Sequence, residues 1–228
     1  MNHVDDTQTP SDTELATDRE LSTDTEPATD PQLPPACVPE VSAADLAVLH
    51  ARLVDAAADD GLLDVAYRTV ETPVGLLLLA ATPRGLVRVA YDVEDHDAVL
   101  QMLAERVSSR VLLAPGRLDE VAHQVEEYFA GTRHTFDLEL DLSLASGFRR
   151  TVLDHLRAIA YGRTASYAEV AASAGSPRAV RAVGTACARN PLPVVVPCHR
   201  VVRTDGTAGQ YVGGPAAKRA LLTLEAAA

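Results

Sequence analysis

The spacing of apolar residues changes period several times along the chain, and each change predicts a different element. Val65-Ala66-Tyr67-Arg68-Thr69-Val70, Gly75 to Ala81 and Leu86 to Tyr91 read as three strands. Thr72-Pro73 and Thr82-Pro83-Arg84-Gly85 separate them, which predicts an antiparallel meander. Ahead of the strands, Ser42 caps a helix that runs to about Asp59, with Leu46, Leu49, Leu53 and Val54 on one face and Gly61 as its stop. Beyond them, Asp97 to Val107 and Leu118 to Ala130 have helical spacing, with a short strand at Val111-Leu112-Leu113 between them. Phe136 to Leu144 alternates apolar and acidic residues, as a strand or extended connector does. Helical spacing returns from Phe148 to Ala160, and Ser166 with Glu169 forms a capping box for a short helix. Gly175-Ser176-Pro177 then turns the chain into a third helix, Arg178 to Ala188. Two short helices joined through such a turn form the helix-turn-helix pattern. Val194-Val195-Val196, three β-branched residues stopped by Pro197, predict a short buried strand that ends by presenting Cys198.

These elements predict an α/β chain in four parts. Residues 1–41 form an acidic tail and 42–61 a helix with a linker. Residues 62–144 form a small antiparallel-sheet α/β domain, and 145–228 a helix-turn-helix or winged-helix-like domain. The tail carries Thr-Asp pairs and almost no large apolar side chains, so it is expected to be disordered. Of the 228 residues 47% are hydrophobic, which is ample for a core. Yet no run is long enough to span a bilayer and the N-terminus is acidic, so the chain reads as cytoplasmic. Cys37, Cys187 and Cys198 are too few and too scattered for a disulfide framework or a four-cysteine zinc site. His96, His123 and His134 lack metal-ligand spacing and read as surface or helix-face residues.

Charge divides the chain. The net charge is −12, which disfavours a polyanionic partner when averaged over the molecule. From Gly147 onward, however, eleven Arg or Lys stand against Asp154, Glu169, Asp205 and Glu225, a balance of +7. The helix from Arg178 carries Arg181 and Arg189 among small residues, slim and basic enough to enter a DNA groove. Cys198 follows it, and His199 is next to the thiol. A thiolate is the nucleophilic form of cysteine, and a neighbouring imidazole can take its proton. Adjacent residues on a strand point to opposite faces, so a turn is needed before the two can cooperate. A nucleophile directly behind a DNA-reading helix suits chemistry on a base, which must leave the stack before a side chain can reach it.

Three stretches stand in order in the C-terminal part: Tyr161-Gly162-Arg163-Thr164-Ala165-Ser166-Tyr167, Arg178-Ala179-Val180-Arg181-Ala182-Val183-Gly184, and Asn190-Pro191-Leu192-Pro193-Val194-Val195-Val196-Pro197-Cys198-His199-Arg200-Val201-Val202. Through them the chain resembles, over about Tyr67 to Glu225, the O6-alkylguanine-DNA alkyltransferases (methylated-DNA–protein-cysteine methyltransferases). The resemblance implies a ribonuclease H-like N-terminal domain. It also implies DNA repair by single-turnover transfer of an alkyl group from O6-alkylguanine to Cys198, with O4-alkylthymine as a second candidate lesion. His199, acting through a water, would be the base and Glu225 its orienting carboxylate, while Tyr167 would protonate guanine N3. Arg181 would fill the stack left by the flipped base. Arg178, Ala182, Gly184, Asn190 and Arg200 would belong to the DNA-binding surface, with Asn190 also tying the third helix to the catalytic segment. Main-chain carbonyls of Cys198 and Val201 and amides near Tyr211, Val212 and Gly213 would hold the base. The scheme calls for no metal or organic cofactor. Its partner would be the minor groove of double-stranded DNA, bound by a monomer that associates with the nucleoid.

Two features depart from the family pattern. Arg149 and Leu153 stand where relatives commonly have Gln and Trp, and Val212 stands where they have Gly or Ser. The second narrows the expected pocket. It leaves a different reading open, a sensor or transcriptional regulator that binds alkylated DNA without efficient transfer. A cysteine hydrolase is a third.

Overall fold

A computed structural model describes residues 41–226, so the predicted tail with Cys37 lies outside the described residues apart from Val41. The first helix, α1 (Ala43–Asp59), starts where expected, with Ser42 Oγ accepting from the Asp45 amide at 3.1 Å. Its predicted apolar face does not pack as expected. No α1 residue is buried, and Leu46, Leu49 and Leu53 are all more than half exposed; of the four, Val54 alone packs against the core.

The sheet follows the predicted meander: β1 (Val65–Thr72), β2 (Gly75–Thr82) and β3 (Gly85–Tyr91) pair antiparallel, and β4 (Val111–Leu113) adds parallel to β1. The order is β3-β2-β1-β4. The run Leu77-Leu78-Leu79-Ala80 is apolar throughout because both faces of the sheet are covered. Leu77 and Leu79 join the side of α3 (Asp119–Phe129), with Val121, Val125 and Tyr128. Leu78 and Ala80 join the side of α2 (His96–Arg106), with Val99 and Leu103. Phe136 to Leu144 is a connector rather than a strand. One parallel bridge, Leu86 with Leu140, ties it to β3, and Leu142–Leu144 is a 3-10 turn. Gly85, at φ +127°, permits this approach, since a Cβ there would sit 2.2 Å from the Glu139 carbonyl oxygen.

The C-terminal half holds α4 (Gly147–Leu156), α5 (Tyr167–Ser173), α6 (Val180–Ala188) and α7 (Gly214–Ala226), with β5 (Ala165–Ser166) parallel to β6 (Val201–Val202). The α4 helix stops short of Ala160 because its last turns tighten, Ala158 N bonding His155 O and Ile159 N bonding Leu156 O. The predicted Val194–Val196 strand is not formed. That segment is a chain of turns in which Val196 N bonds Leu192 O at 2.7 Å and the Leu192 amide bonds Asn190 Oδ1 at 3.0 Å. Val194 sits at φ +72°, a left-handed conformation that β-branched residues avoid. Burial holds it there: Val194 and Val196 are at most 1% exposed. The segment docks on the sheet edge through Val89 N to Pro191 O, 2.9 Å.

Candidate active site

Cys198 opens a 3-10 turn, Cys198–Arg200, instead of ending a strand. Such a turn rotates successive side chains by about 120° and not 180°, so Cys198 and His199 are not thrown to opposite faces as on a strand. Asn190 Nδ2 donates to Cys198 Sγ at 3.1 Å and to the Val196 carbonyl at 2.8 Å. One amide thereby fixes both the turn and the sulfur. Cys198 is 2% exposed, and burial pushes its thiol up to about 11 despite the Asn190 hydrogen bond and the charge of Lys218. At neutral pH the sulfur is protonated and inert until a base acts on it.

His199 is fully buried, and its Nε2 lies 2.8 Å from Glu225 Oε1 on α7. With Nε2–H donating to the carboxylate, Nδ1 carries the lone pair. This nitrogen is buried and has no hydrogen-bond partner among the described residues. Burial pushes the imidazole below its usual pKa, against the pull of Glu225, which keeps it neutral and able to accept a proton. Burial would raise Glu225. Hydrogen bonds from His199, Arg200 and Tyr128 outweigh that and hold it at about 2.

Two residues expected on the DNA-binding surface, Arg200 and Asn190, are buried. Arg200 is 6% exposed and turned inward: its Nε and Nη2 reach Glu225 at 2.9 Å, its Nη1 donates to the Ile159 carbonyl, and its guanidinium lies over the Tyr161 ring. It is the counter-ion of the buried carboxylate. Asn190 is 2% exposed, and its side chain is spent on the Val196 carbonyl, the Leu192 amide and the thiol.

Arg181 and Ala182 are exposed on α6, Gly184 is half-buried on it, and Arg178 is exposed in the turn before it. Tyr167, the first residue of α5, is half-buried with its hydroxyl against Gly209, where a Cβ would sit 2.4 Å from the oxygen. Tyr211 bonds Tyr91 through the two hydroxyls at 2.9 Å, and its ring meets His199 edge-on at 6.2 Å. Val212 and Gly213 are half-buried, and a Cβ on Gly213 would strike the Tyr91 ring at 2.6 Å. The Val201 carbonyl accepts from the fully buried Lys218 Nζ. Sequence reasoning missed Tyr91, Tyr128 and Lys218. Tyr128, from the N-terminal half, donates to Glu225 Oε1 at 2.7 Å. Lys218 carried a signal, as the sole lysine of the chain. Among the described residues no group of His, Cys, Asp and Glu could hold a metal ion.

A buried thiol beside an imidazole–carboxylate pair, set behind a helix-turn-helix and braced by a sheet domain, defines a cysteine-based group-transfer protein of the DNA-binding kind. Residues 65–142 match the ribonuclease-like domain of 6-O-methylguanine DNA methyltransferase, and residues 147–227 match its DNA-binding domain. The methylated-DNA–protein-cysteine methyltransferase of Mycobacterium bovis is 39% identical over 159 residues, 70% of this chain and 91% of that protein. The constitutive enzyme of the same name from Bacillus subtilis is also 39% identical, over 68% of this chain and 92% of its own. The crystal structure of Mycobacterium tuberculosis OGT in complex with DNA matches with a TM-score of 0.62 and 38% identity, covering 71% of this chain and 93% of that one. The chain therefore belongs to the 6-O-methylguanine DNA methyltransferase family.

Proposed function

We propose that the protein repairs DNA by transferring an alkyl group, methyl in the simplest case, from O6-alkylguanine to the sulfur of Cys198. The carrying observation is one buried turn in which Asn190 holds the Cys198 sulfur and Glu225 engages Nε2 of the next residue, His199. In the reaction the Cys198 proton passes, through a water, to His199 Nδ1, and Glu225 balances the imidazolium. The thiolate attacks the alkyl carbon, an S–C bond forms, and the C–O6 bond breaks with its electron pair on the guanine. Tyr167 supplies the proton that neutralises the base at N3. A thioether is not displaced by water, so each molecule acts once.

The DNA face is α6. Arg181 replaces the flipped nucleotide in the stack, and Arg178 steadies the backbone. Ala182 and Gly184 let the helix approach a minor groove closely, and among the described residues nothing beyond the helix's own neighbouring backbone lies within 4 Å of a Cβ placed on Gly184. The flipped base rests between Tyr167 and the 209–213 loop, and one protein monomer serves one lesion. Among the described residues no helix is long and apolar enough to cross a membrane.

Intact-protein mass spectrometry after incubation with a duplex containing one O6-methylguanine tests the assignment. The expected result is one added methyl that maps to Cys198, with equal loss of lesion. Cys198→Ala is expected to abolish transfer and keep duplex binding. Binding with no mass gain in the parent protein would instead support a sensor.

A further inference from the structure

A cleft of about 320 Å³ opens between the two halves of the molecule, and Asn190, whose side chain bonds Cys198, forms part of its wall. Arg88, Arg106, Arg149 and Arg189 line it with a single carboxylate, Glu94. We propose that this cleft is a phosphate site that takes a backbone phosphate of bound DNA past the end of α6, an inference that rests on the DNA-repair reading above.

The arginines divide into those already engaged and those with donors to spare. Arg88 is 8% exposed and committed: it pairs with Glu94 and donates to the Val89 and Pro191 carbonyls at 2.7 and 3.1 Å. Glu94 is thereby used up. Arg149 donates through Nη2 to the Leu144 carbonyl, but its Nε is buried with no partner among the described residues. Arg106 on α2 and Arg189 at the end of α6 are exposed, and neither makes an ion pair or side-chain hydrogen bond among the described residues. Arginines from three elements therefore line a cavity whose one carboxylate is paired with Arg88, so the lining carries an excess of positive charge that favours an anion. Planar forks from several sides fit the oxygens of a phosphate. Arg189 immediately follows α6, the helix that carries Arg181, and lines the cleft, which places the cleft at the end of the proposed DNA face.

Arg106→Gln with Arg189→Gln removes the exposed donors and leaves Arg88 and Arg149, which brace the halves. Affinity for a duplex is measured across a salt series, beside the rate of Cys198 alkylation by free O6-benzylguanine. The expected double variant shows a log K against log salt slope shallower by about 1 and roughly tenfold weaker binding at low salt, with the free-base reaction unchanged. An unchanged slope overturns the proposal, as does an equal loss in the free-base reaction, which marks a structural role. Arg181→Ala is the control: if it too leaves duplex affinity intact, the reading of α6 as the DNA face has failed, whereas loss in Arg181→Ala with none in the double variant counts against the cleft alone. Inorganic phosphate supplies the other arm. Phosphate stabilisation of the parent protein that the double variant lacks, together with an unchanged DNA slope, makes the cleft a free-anion site and overturns the DNA assignment.

Discussion

Glu225 accepts hydrogen bonds from three separate parts of the chain: Tyr128 on α3, His199 and Arg200 in the catalytic turn, and the Gly162 amide. A buried carboxylate so surrounded stays ionised, and Arg200 offsets its charge, so only part of that charge is available to stabilise an imidazolium. Glu225→Gln strands the Arg200 cation, and urea unfolding at pH 7 is expected to show a loss of about 3–5 kcal/mol. Because Glu225 titrates lower in the folded state, at about 2, than in the unfolded chain, its contribution is complete above about pH 4.5. It drains away as the pH falls toward about 2, so the parent protein is expected to lose stability more steeply than the Gln variant across that window. Tyr128→Phe removes one donor from Oε1. The carboxylate then leans harder on His199 and raises its basicity, so the acid limb of the Cys198 alkylation rate is expected to move to higher pH, with about 1 kcal/mol of stability lost. A limb that stays in place would reduce Tyr128 to packing. The Cys198-His199 pair was legible because its members are adjacent. Tyr128 lies 97 residues from Glu225 and Arg200 looks like any other arginine in a basic stretch, so nothing local marked either one.

Elements whose residues answer to one period were legible, and those held by side-chain bonds were not. The strands of the meander and the Ser166 capping box follow local spacing. Val194-Val195-Val196 carries a strong strand preference that the Asn190 side chain overrides: it bonds the Leu192 amide and the Val196 carbonyl and thereby closes the turn. Val194 pays a backbone strain of about 1–3 kcal/mol for that closure. The loop before α7 is set by a similar long-range constraint. Gly209 lies against the Tyr167 hydroxyl and Gly213 against the Tyr91 ring, so the loop can close over the site only because neither residue has a side chain. Gly209→Ala must displace Tyr167 or the loop. The expected outcome is transfer from duplex DNA slowed at least about tenfold with the thermal midpoint nearly unchanged, because the neighbouring Thr207, Ala208 and Gln210 are exposed. Parental rates in this variant would show that the Tyr167 position is not critical.

Over the whole molecule, charge is segregated more sharply than the total suggests. Residues 1–61 hold fourteen Asp or Glu and two Arg, a balance of −12, while residues 62–228 hold eighteen groups of each sign. The entire net charge therefore belongs to the part that precedes the family match, which begins at residue 65. The α1 helix in that part buries none of its residues and meets the body mainly through Val54 and a His50 hydrogen bond to the Leu113 carbonyl, so the core does not depend on it. The anionic segment repels DNA at long range, and this repulsion is screened beyond a Debye length of about 10 Å at 0.1 M salt. A chain starting at Leu62 is expected to fold and to alkylate Cys198 from free O6-benzylguanine at the parental rate. It should also bind undamaged duplex more tightly than the full chain at low salt, with the difference vanishing as salt is raised. Fluorescence anisotropy on the two chains across a salt series checks this. If the shorter chain binds no better at any salt concentration, the acidic segment does not act through its charge, and the basic surface of the C-terminal half sets DNA affinity by itself.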